Sequence, residues 1–408
     1  MKLSLCIIVK DEEKSLPQCL DSVKDVVDEI VVLDTGSSDR TPEIAAEYGA
    51  KVHYFEWCND FAAARNEALK YVTGDWVLIL DADERLNREI APQIKVAILE
   101  ERVLVINLIR KEIGAAQSPY SLTSRLFRRH PEIEFSRPYH ALIDDSVVSL
   151  VKKEPHWQIA SLPSIAVFHY GYDPNEIAAK EKGDRAKAVM ESHIQEYPDD
   201  SYACNKLGAL YLDEGKIEAG IELLKRGLKD INAGEMVIYE LNYHLANAYN
   251  RQNDVNQAVI YYQAALAQNI LPALKLGAYN NLGTLLFAAG EYKMAERTFS
   301  ASIIADRSFA FGYYNLGMAL KAQGNFDKAI QAYSKAIELK PDYAQAYQNL
   351  GVAWLKCGSV KMGLQCMGRA IALLEVQNLL EAQRLRQELK DMGFEVPKVK
   401  LESIPGQG

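Results

Sequence analysis

The stretch Trp76-Val77-Leu78-Ile79-Leu80-Asp81-Ala82-Asp83 runs from five apolar residues directly into two carboxylates. A short apolar run of this kind is typical of a strand buried on both faces of a sheet. Aspartates separated by one residue leave an extended chain on the same side, so Asp81 and Asp83 would repel each other unless they shared a cation. Mg²⁺ and Mn²⁺ bind carboxylates and complete their shells with water and phosphate. A metal-binding pair is therefore predicted, and a solvated D-x-D turn is the alternative.

The residues around this stretch alternate between strand and helix patterns. The predicted strands are Leu3–Val9, Glu29–Leu33, Lys51–Phe55 and Trp76–Leu80, and the predicted helices are Ser15–Val26, Thr41–Tyr48 and Asp60–Tyr71. Strands separated by such helices form βαβ units and a mainly parallel sheet, whose ligands bind beyond the carboxyl ends of the strands. Those ends carry Lys10-Asp11-Glu12, Asp34-Thr35-Gly36 and Asp81-Ala82-Asp83. The pattern predicts an α/β domain with a ligand site at this edge.

Beyond Val105 the pattern is less regular. Strand-like pieces are predicted at Leu122–Phe127, Val147–Val151 and Ile165–Tyr170, and a helix is predicted from Asn175 to about Glu196. Pro198-Asp199-Asp200 then marks the predicted end of a first domain that covers residues 1–197.

The second half of the sequence repeats a pair of a leucine and a small residue. The pairs are Leu207-Gly208, Leu245-Ala246, Leu282-Gly283, Leu316-Gly317 and Leu350-Gly351, and the last two intervals are 34 residues each. Small residues let two helices approach closely, and large apolar residues fill the space to the next hairpin. The pattern predicts an all-α array of five tetratricopeptide repeats over residues 198–377, a capping helix over 378–392 and a tail over 393–408.

Charge is unevenly distributed along the chain, whose formal net charge is -9. Residues 1–197 carry 24 Lys and Arg against 33 Asp and Glu, whereas residues 198–408 carry 22 of each. An acidic first half argues against a nucleic-acid partner and suits a site that holds a cation. The six cysteines include no C-x-x-C pair, which predicts reduced thiols and a cytoplasmic protein. The apolar start is predicted to be a strand rather than a signal peptide, and no transmembrane segment is predicted.

A second candidate ligand segment is Asp34-Thr35-Gly36-Ser37-Ser38-Asp39-Arg40-Thr41. Gly36 permits a tight turn, and the helix that follows presents free N–H groups, as a nucleotide site requires. Capping of that helix by Asp39 or Ser38 is compatible with this role. Arg65 lies among small alanines, which predicts a closely packed helix that aims its guanidinium at acidic or phosphate groups.

Four motifs in this order resemble the family 2 glycosyltransferases of the GT-A fold, in the bacterial branch fused to tetratricopeptide repeats. They are Ser4-Leu5-Cys6-Ile7-Ile8-Val9-Lys10-Asp11-Glu12-Glu13, the Asp34–Thr41 segment, Phe61-Ala62-Ala63-Ala64-Arg65-Asn66 and Leu80-Asp81-Ala82-Asp83-Glu84. The resemblance implies that Glu12 and Asp34 contact uridine or ribose and that Asp39 helps to hold the nucleotide. It further implies that Asp81 and Asp83 bind the ribose edge and the metal of a UDP-sugar. Arg65 is a candidate both to bind this donor and to act in catalysis.

The resemblance is less complete downstream. Tyr139-His140 matches a place where the family usually has His followed by Glu, but Ala141 comes next here. An inverting transfer needs a carboxylate to take the acceptor proton, and Asp144 is the candidate base, with a turn residue before a strand as the alternative. His169 is a candidate metal ligand or a structural residue. Lys180, Lys182 and Arg185 are candidates to pair with the diphosphate.

The resemblance implies a metal-dependent hexosyl- or N-acetylhexosaminyl-transferase that uses a UDP-sugar. The repeats are predicted to hold a protein or peptide acceptor, with Tyr314 and Tyr343 facing the groove. An inactive transferase domain in a scaffold is one alternative, supported by the missing acid after His140. A nucleotidyltransferase is the other, but it predicts a Gly-rich, basic first loop, and Lys10-Asp11-Glu12-Glu13 does not match that.

Overall fold

The structure is a computed structural model that describes residues 1–115, 119–139, 141–170 and 177–396, and for residues 177–186 it describes the backbone only. It divides into two compact units. The first comprises Met1–Ala115 and Pro119–Ala233, and the second begins at Gly234. The first unit thus extends past residue 197 and includes a helical hairpin, while the domain boundary predicted at residue 197 stays a prediction.

An eight-stranded sheet forms the centre of the first unit in the residues that the structure describes. The strands are β1 Leu3–Val9, β2 Glu29–Asp34, β3 Lys51–Tyr54, β4 Trp76–Ile79, β5 Glu84–Leu86, β6 Val103–Glu112, β7 Tyr120–Arg128 and β8 Gln158–His169. Their order is β3-β2-β1-β4-β7-β6-β8-β5, and the pairs β1–β2, β1–β4, β2–β3 and β6–β8 are parallel. The mainly parallel α/β architecture predicted from the sequence is confirmed.

Helices cover both faces of this sheet. The helices of the first unit are α1 Leu16–Val23, α2 Thr41–Glu47, α3 Phe61–Leu69, α4 Ala91–Ala97, α5 Asp144–Lys153, α6 Ile177–Glu196, α7 Ser201–Asp213 and α8 Ile217–Gly227. Side chains of α1, α2 and α4 share one buried cluster with alternate residues of β1. Those of α3 and α5 share a second buried cluster with the opposite face. Each cluster removes a strip of apolar surface from water, and this burial is the main stabilising contribution to a sheet of this kind.

One predicted element of the first unit is wrong, and one strand was not predicted. Val147–Val151 is part of helix α5 and not a strand, because Val147 and Leu150 share its buried face while Val148 is exposed. The acidic residues Asp144 and Asp145 in its first turn also favour a helix start. In addition, the segment from Val103 to Glu112, where the pattern loses its regularity, is the long strand β6.

The second unit consists of helix hairpins. Its helices are α9 Glu235–Arg251, α10 Val255–Leu266, α11 Leu276–Ala288, α12 Tyr292–Ala305, α13 Ala310–Ala322, α14 Phe326–Leu339, α15 Ala344–Lys356, α16 Val360–Gln377 and α17 Leu379–Asp391. The small residues predicted to allow close approach do so: a Cβ added to Gly317 would lie 2.6 Å from Cε1 of Tyr333, a fully buried ring. None of the described helices in either unit has the length and apolar character that a bilayer span requires.

The contact between Gly317 and Tyr333 gives a stability prediction. In Gly317→Ala the new methyl group gains about 1 kcal/mol of helix propensity, but overpacking against a fixed ring costs about 1–3 kcal/mol. We therefore expect a lower free energy of unfolding, measured by urea denaturation. Tyr333→Leu removes the ring and serves as the control. The double variant should lose less than the sum of the two single losses, and strict additivity would contradict the proposed clash.

Candidate active site

The loops after β1 and β2 form one hydrogen-bonded unit at the carboxyl edge of the sheet. Asp11, whose φ is +53°, accepts from the backbone N–H of Ser38 at 2.7 Å and from its hydroxyl at 3.0 Å. The N–H of Glu12 donates to Oγ1 of Thr41 at 2.7 Å, and the Glu12 carboxylate accepts from the Ser15 hydroxyl. An aspartate tolerates a positive φ better than most residues, so the backbone of Asp11 can turn here and tie the two loops together.

Asp34 ends β2 with one carboxylate oxygen in use. Its Oδ1 accepts from the N–H groups of Gly36 and Ser37, both at 2.9 Å. Its Oδ2 is buried, and no partner for it lies in the described part of the chain. A buried acceptor without a partner costs about 1–3 kcal/mol. Asp34 is therefore ready to accept a hydrogen bond from a ligand at this edge.

Asp39 uses both of its oxygens within the loop. Oδ1 accepts from the N–H and the hydroxyl of Thr41 at 2.9 and 2.5 Å, and Oδ2 accepts from the N–H of Glu13 at 3.1 Å. Burial acts to raise the pKa of Asp39, but these hydrogen bonds outweigh it and lower that pKa. The geometry gives Asp39 a part in holding the start of α2, and its contact with a nucleotide stays a prediction.

Asp81 lies directly after β4 between two arginines. Its Oδ1 accepts from Nη2 of Arg65 at 2.7 Å, and its Oδ2 accepts from Nη2 of Arg125 at 2.8 Å. Burial would raise the pKa of Asp81, but the charges of Arg125 and Arg65 hold it below its usual range. The Arg65 guanidinium is buried and lies 5.4 Å above the ring of Phe135, so α3 fixes its position.

Glu84 is a fully buried carboxylate beside this group. It accepts from the N–H of Asp81 at 2.9 Å, from Nη1 of Arg110 at 3.0 Å and from Nη1 of Arg125. A buried charge persists only where it is paired and hydrogen-bonded, and Glu84 meets both conditions. It thereby fixes the turn between β4 and β5, which carries Asp81 and Asp83.

His169, at the end of β8, lies between two carboxylates. Its Nδ1 is 2.5 Å from Oε2 of Glu112, and its Nε2 is 3.2 Å from Oδ2 of Asp83. Hydrogen bonds to Asp83 and Glu112 raise the pKa of His169 to about 10, so the ring is protonated at neutral pH. Oppositely charged side chains thus alternate through the site, and we call this set the ion chain. Its members are Arg65, Asp81, Arg125, Glu84, Arg110, Glu112, His169 and Asp83.

A β-bulge positions Arg125 and its neighbour Ser124. The β6–β7 register pairs Ile106 with Leu126 but Leu108 with Thr123, so one residue of β6 faces two residues of β7. Leu126 belongs to the buried cluster that α1, α2 and α4 share with the sheet, and Thr123 is paired with Leu108 of the same cluster. Thr123 and Leu126 therefore lie on one face of β7, and the bulge places both Ser124 and Arg125 on the opposite face.

Asp144, the first residue of α5, contacts the other residue of this bulge. Its Oδ1 accepts from the Ser124 hydroxyl at 3.1 Å. Its Oδ2 is buried, and no hydrogen-bond partner for it exists among the described residues. Burial raises the pKa of Asp144, although the Ser124 hydrogen bond opposes this. Of the two bulge residues, Arg125 therefore contacts Asp81, and Ser124 contacts the candidate base Asp144.

Comparison with known proteins assigns the first unit. The sequence model of glycosyl transferase family 2 matches residues 4–160. A TPR repeat-containing protein of Synechococcus elongatus is 45% identical over 294 residues, which span 72% of this chain and 73% of that protein. The SPbeta prophage-derived glycosyltransferase SunS of Bacillus subtilis is 30% identical over 233 residues, 55% of this chain and 52% of SunS.

The chain belongs to the family 2 glycosyltransferases. Tetratricopeptide-repeat models match residues 243–308 and 310–343 of this family 2 glycosyltransferase, which confirms the predicted combination of domains. Among solved structures it is similar to YrrB, a TPR protein with an unusual peptide-binding site, at 19% identity and a TM-score of 0.41. That similarity covers 50% of this chain and 100% of YrrB.

Two of the three predicted metal ligands of this family 2 glycosyltransferase lie together. Nε2 of His169 and Oδ2 of Asp83 are 3.2 Å apart, and two adjacent ligands of an octahedral ion at about 2.1 Å would be separated by about 3 Å. Glu112 holds the other ring nitrogen, an arrangement typical of metal-bound histidine. Asp81, the third predicted ligand, accepts hydrogen bonds from Arg65 and Arg125. In the described residues, no three His, Cys, Asp or Glu side chains form a group that could hold a metal ion. The pair fits an ion that displaces the proton from Nε2 of His169 and takes its other ligands from water and phosphate.

Several site residues of this family 2 glycosyltransferase are not evident from the sequence. Arg125, Arg110 and Glu112 lie inside strands, where their only signal is a charge within an apolar pattern. Four other candidates lie outside the described part of the structure. They are His140 and the side chains of Lys180, Lys182 and Arg185 on α6.

The repeat unit contains an open cavity of about 390 Å³. Its walls include Phe311, Tyr314, Lys340, Tyr343 and Gln345. Tyr314 and Tyr343, which were predicted to face the groove, both line this cavity, although Tyr343 is only 7% exposed because its ring packs against Tyr314 at 4.8 Å. Tyr314 also accepts a hydrogen bond from Nδ2 of Asn349 at 3.2 Å, which fixes its hydroxyl.

Proposed function

We propose that this family 2 glycosyltransferase transfers a sugar from a UDP-sugar to an acceptor hydroxyl or thiol. The observation that carries the proposal is the buried, unpartnered Oδ2 of Asp34 at the carboxyl edge of the sheet. A ribose hydroxyl or the uracil N–H would supply the missing donor and remove the cost of the buried acceptor. The ion chain adjoins this edge, because Asp81 follows β4 and β1 separates β4 from β2.

Asp83 and His169 are the residues that would hold Mg²⁺ or Mn²⁺, with Glu112 orienting the imidazole. When bound, the ion would stabilise the charge that develops on the departing diphosphate. Arg65 and Arg125 hold Asp81 in one orientation, so its carboxylate is preorganised toward the ribose edge. Lys182 and Arg185 remain candidates for the diphosphate itself.

Asp144 is the proposed base. It takes the proton of the acceptor as the new glycosidic bond forms, through its unpartnered Oδ2. A carboxylate whose pKa is raised by burial accepts a proton more readily than an ordinary aspartate at neutral pH. The repeats would bind a protein or peptide acceptor, since such arrays are extended binding surfaces.

Binding of UDP tests the proposal through Asp34→Asn. The amide retains a carbonyl oxygen for Gly36 and Ser37 and replaces only the unpartnered oxygen with a donor. Loss of one charge-assisted hydrogen bond, about 1.5–3 kcal/mol, should weaken UDP binding by about 10- to 100-fold in calorimetry.

Asp60→Asn is the matched control. Asp60 caps α3 through the N–H of Ala63 at 3.0 Å, and asparagine caps helices equally well, so UDP affinity should not change. Unchanged affinity in a folded Asp34→Asn variant would refute the proposed contact. If the wild-type protein binds no UDP and releases none from any UDP-sugar, the inactive-scaffold alternative is favoured.

A further inference from the structure

Arg137 occupies the junction between the sheet and the first helical hairpin. Its φ is +70°, a conformation that a residue other than glycine rarely adopts without a reason in its surroundings. Its side chain is 14% exposed and makes hydrogen bonds to two carboxylates from different elements. The backbone of the same loop is fixed as well, because the Pro138 carbonyl accepts from the N–H of Phe61 at 2.9 Å.

One carboxylate partner of Arg137 belongs to the hairpin. Oδ2 of Asp200 accepts from Nε of Arg137 at 3.0 Å and lies 3.1 Å from Nε2 of His193. Oδ1 of Asp200 accepts from the N–H of Ala203 at 2.9 Å, which caps helix α7. The guanidinium also lies 5.2 Å from the ring centre of Tyr202. Helix α7 therefore holds Arg137 through a cap, an ion pair and an aromatic ring.

The other carboxylate partner belongs to α5. Oδ2 and Oδ1 of Asp145 accept from Nη1 and Nη2 of Arg137 at 2.6 and 3.3 Å. Ser136 adds a hydrogen bond to the same Oδ2 at 2.5 Å. Asp145 directly follows Asp144, so this two-point contact fixes the first turn of α5.

We propose that Arg137 is a positioning residue, through which the first helical hairpin holds the turn of α5 that presents Asp144 to the acceptor. The inference rests on the proposed role of Asp144 and assigns the hairpin a part in the chemistry. Asp200, Arg137 and Asp145 form a continuous path of ion pairs from α7 to α5. A cavity of about 10 Å³, room for one water molecule, lies between Arg137 and side chains of α6 and α7, so this part of the junction is closely packed.

Asp200→Asn tests the path, because asparagine keeps the cap of α7 but removes the charge that pairs with Arg137. Glu214→Gln is the matched control: it breaks the ion pair of Lys187 with the same hairpin, at 2.7 Å, without touching Arg137 or α5. We expect Asp200→Asn to increase amide hydrogen exchange at residues 143–150 and Glu214→Gln to leave it unchanged. UDP affinity should stay at the wild-type value in both, since Asp34 is not part of this path.

The effect of each variant on kcat is measured as the rate of UDP release. The substrate is UDP-glucose or UDP-N-acetylglucosamine, whichever the wild type hydrolyses faster. A base displaced by a fraction of an ångström loses reactivity, so kcat should fall about 10- to 100-fold in Asp200→Asn and not in Glu214→Gln. The pH profile gives a second readout. Arg137 lowers the pKa of Asp144 and Asp145 raises it, so Arg137→Gln should move the acid limb of kcat to higher pH and Asp145→Asn to lower pH.

Unchanged hydrogen exchange at α5 in Asp200→Asn would overturn the inference. So would increased exchange with wild-type kcat, because α5 would then be held by the hairpin without any use in catalysis. If the wild type releases no UDP, the proposed function fails instead, and the exchange measurement still decides whether the hairpin holds α5.

Discussion

Asp144→Asn should reduce the rate of UDP release by about 10²- to 10⁴-fold, the usual contribution of a general base. UDP affinity should not change, because Asp144 contacts Ser124 and not the loops that carry Asp34. The variant loses a negative charge at the start of α5 but also removes a buried carboxylate whose Oδ2 has no partner, so its melting temperature should change little. Loss of turnover without loss of stability would distinguish a catalytic carboxylate from a structural one.

The pH dependence of the wild type follows from the same group. The ordinary pKa of an aspartate is 3.8, and burial raises that of Asp144. The base is inactive when protonated, so kcat should decline as pH falls through a midpoint above 3.8. Glu132→Gln, which breaks an exposed pair with Lys153 on the same helix, is the control and should keep the full rate. A rate for Asp144→Asn close to that of this control would remove Asp144 from the mechanism.

Asp83→Ala should abolish turnover, with a loss of about 10³-fold or more, since charge stabilisation by a metal contributes several kcal/mol. Chelation of the wild-type enzyme should have the same effect, and added Mn²⁺ or Mg²⁺ should reverse it. Asp83 is 40% exposed and lies at one end of the ion chain, so its removal leaves His169 paired with Glu112 and the fold intact.

Glu112→Gln provides a graded comparison for this prediction. It retains the shape of the group that orients His169 but removes its charge, so metal affinity should fall by about 10- to 100-fold rather than vanish. Asp21→Ala breaks an exposed pair with Lys24 and should change nothing. Full activity after thorough demetallation would contradict the metal assignment, and a large drop in melting temperature in Asp83→Ala would show that Asp83 is structural.

The sequence was sufficient for β1, β2 and β4 because each combines an apolar run with a polar end, and for β3 because its polar and apolar residues alternate. Both signals depend on local residues alone. It was insufficient for α5, where Val147, Val148 and Val151 suggest a strand but the buried face is set by contacts with the sheet. The repeats were predictable because close approach of helices restricts the residue at each anchor, as Gly317 shows.

The candidate site shows the same division. Asp34 and Asp81 stand at strand ends and could be placed from the sequence, whereas the partners of Asp81 could not. Arg125 lies 44 residues away from Asp81, and only the β-bulge that turns its side chain brings the two together. Partner choice within an ion chain depends on register and burial, and neither is written in a local pattern.

The extent of the first unit has a practical consequence for modular exchange of repeat arrays. A fragment cut after residue 197 would lack Asp200 and α7, and Arg137 would be left with one of its two carboxylates. A fragment that ends at Ala233 keeps the whole compact unit, including α8 and the pairing of Lys187 with Glu214. Chimaeras that join this transferase to a foreign array should therefore be spliced at Gly234, where a minimal enzyme retains one hairpin of its own.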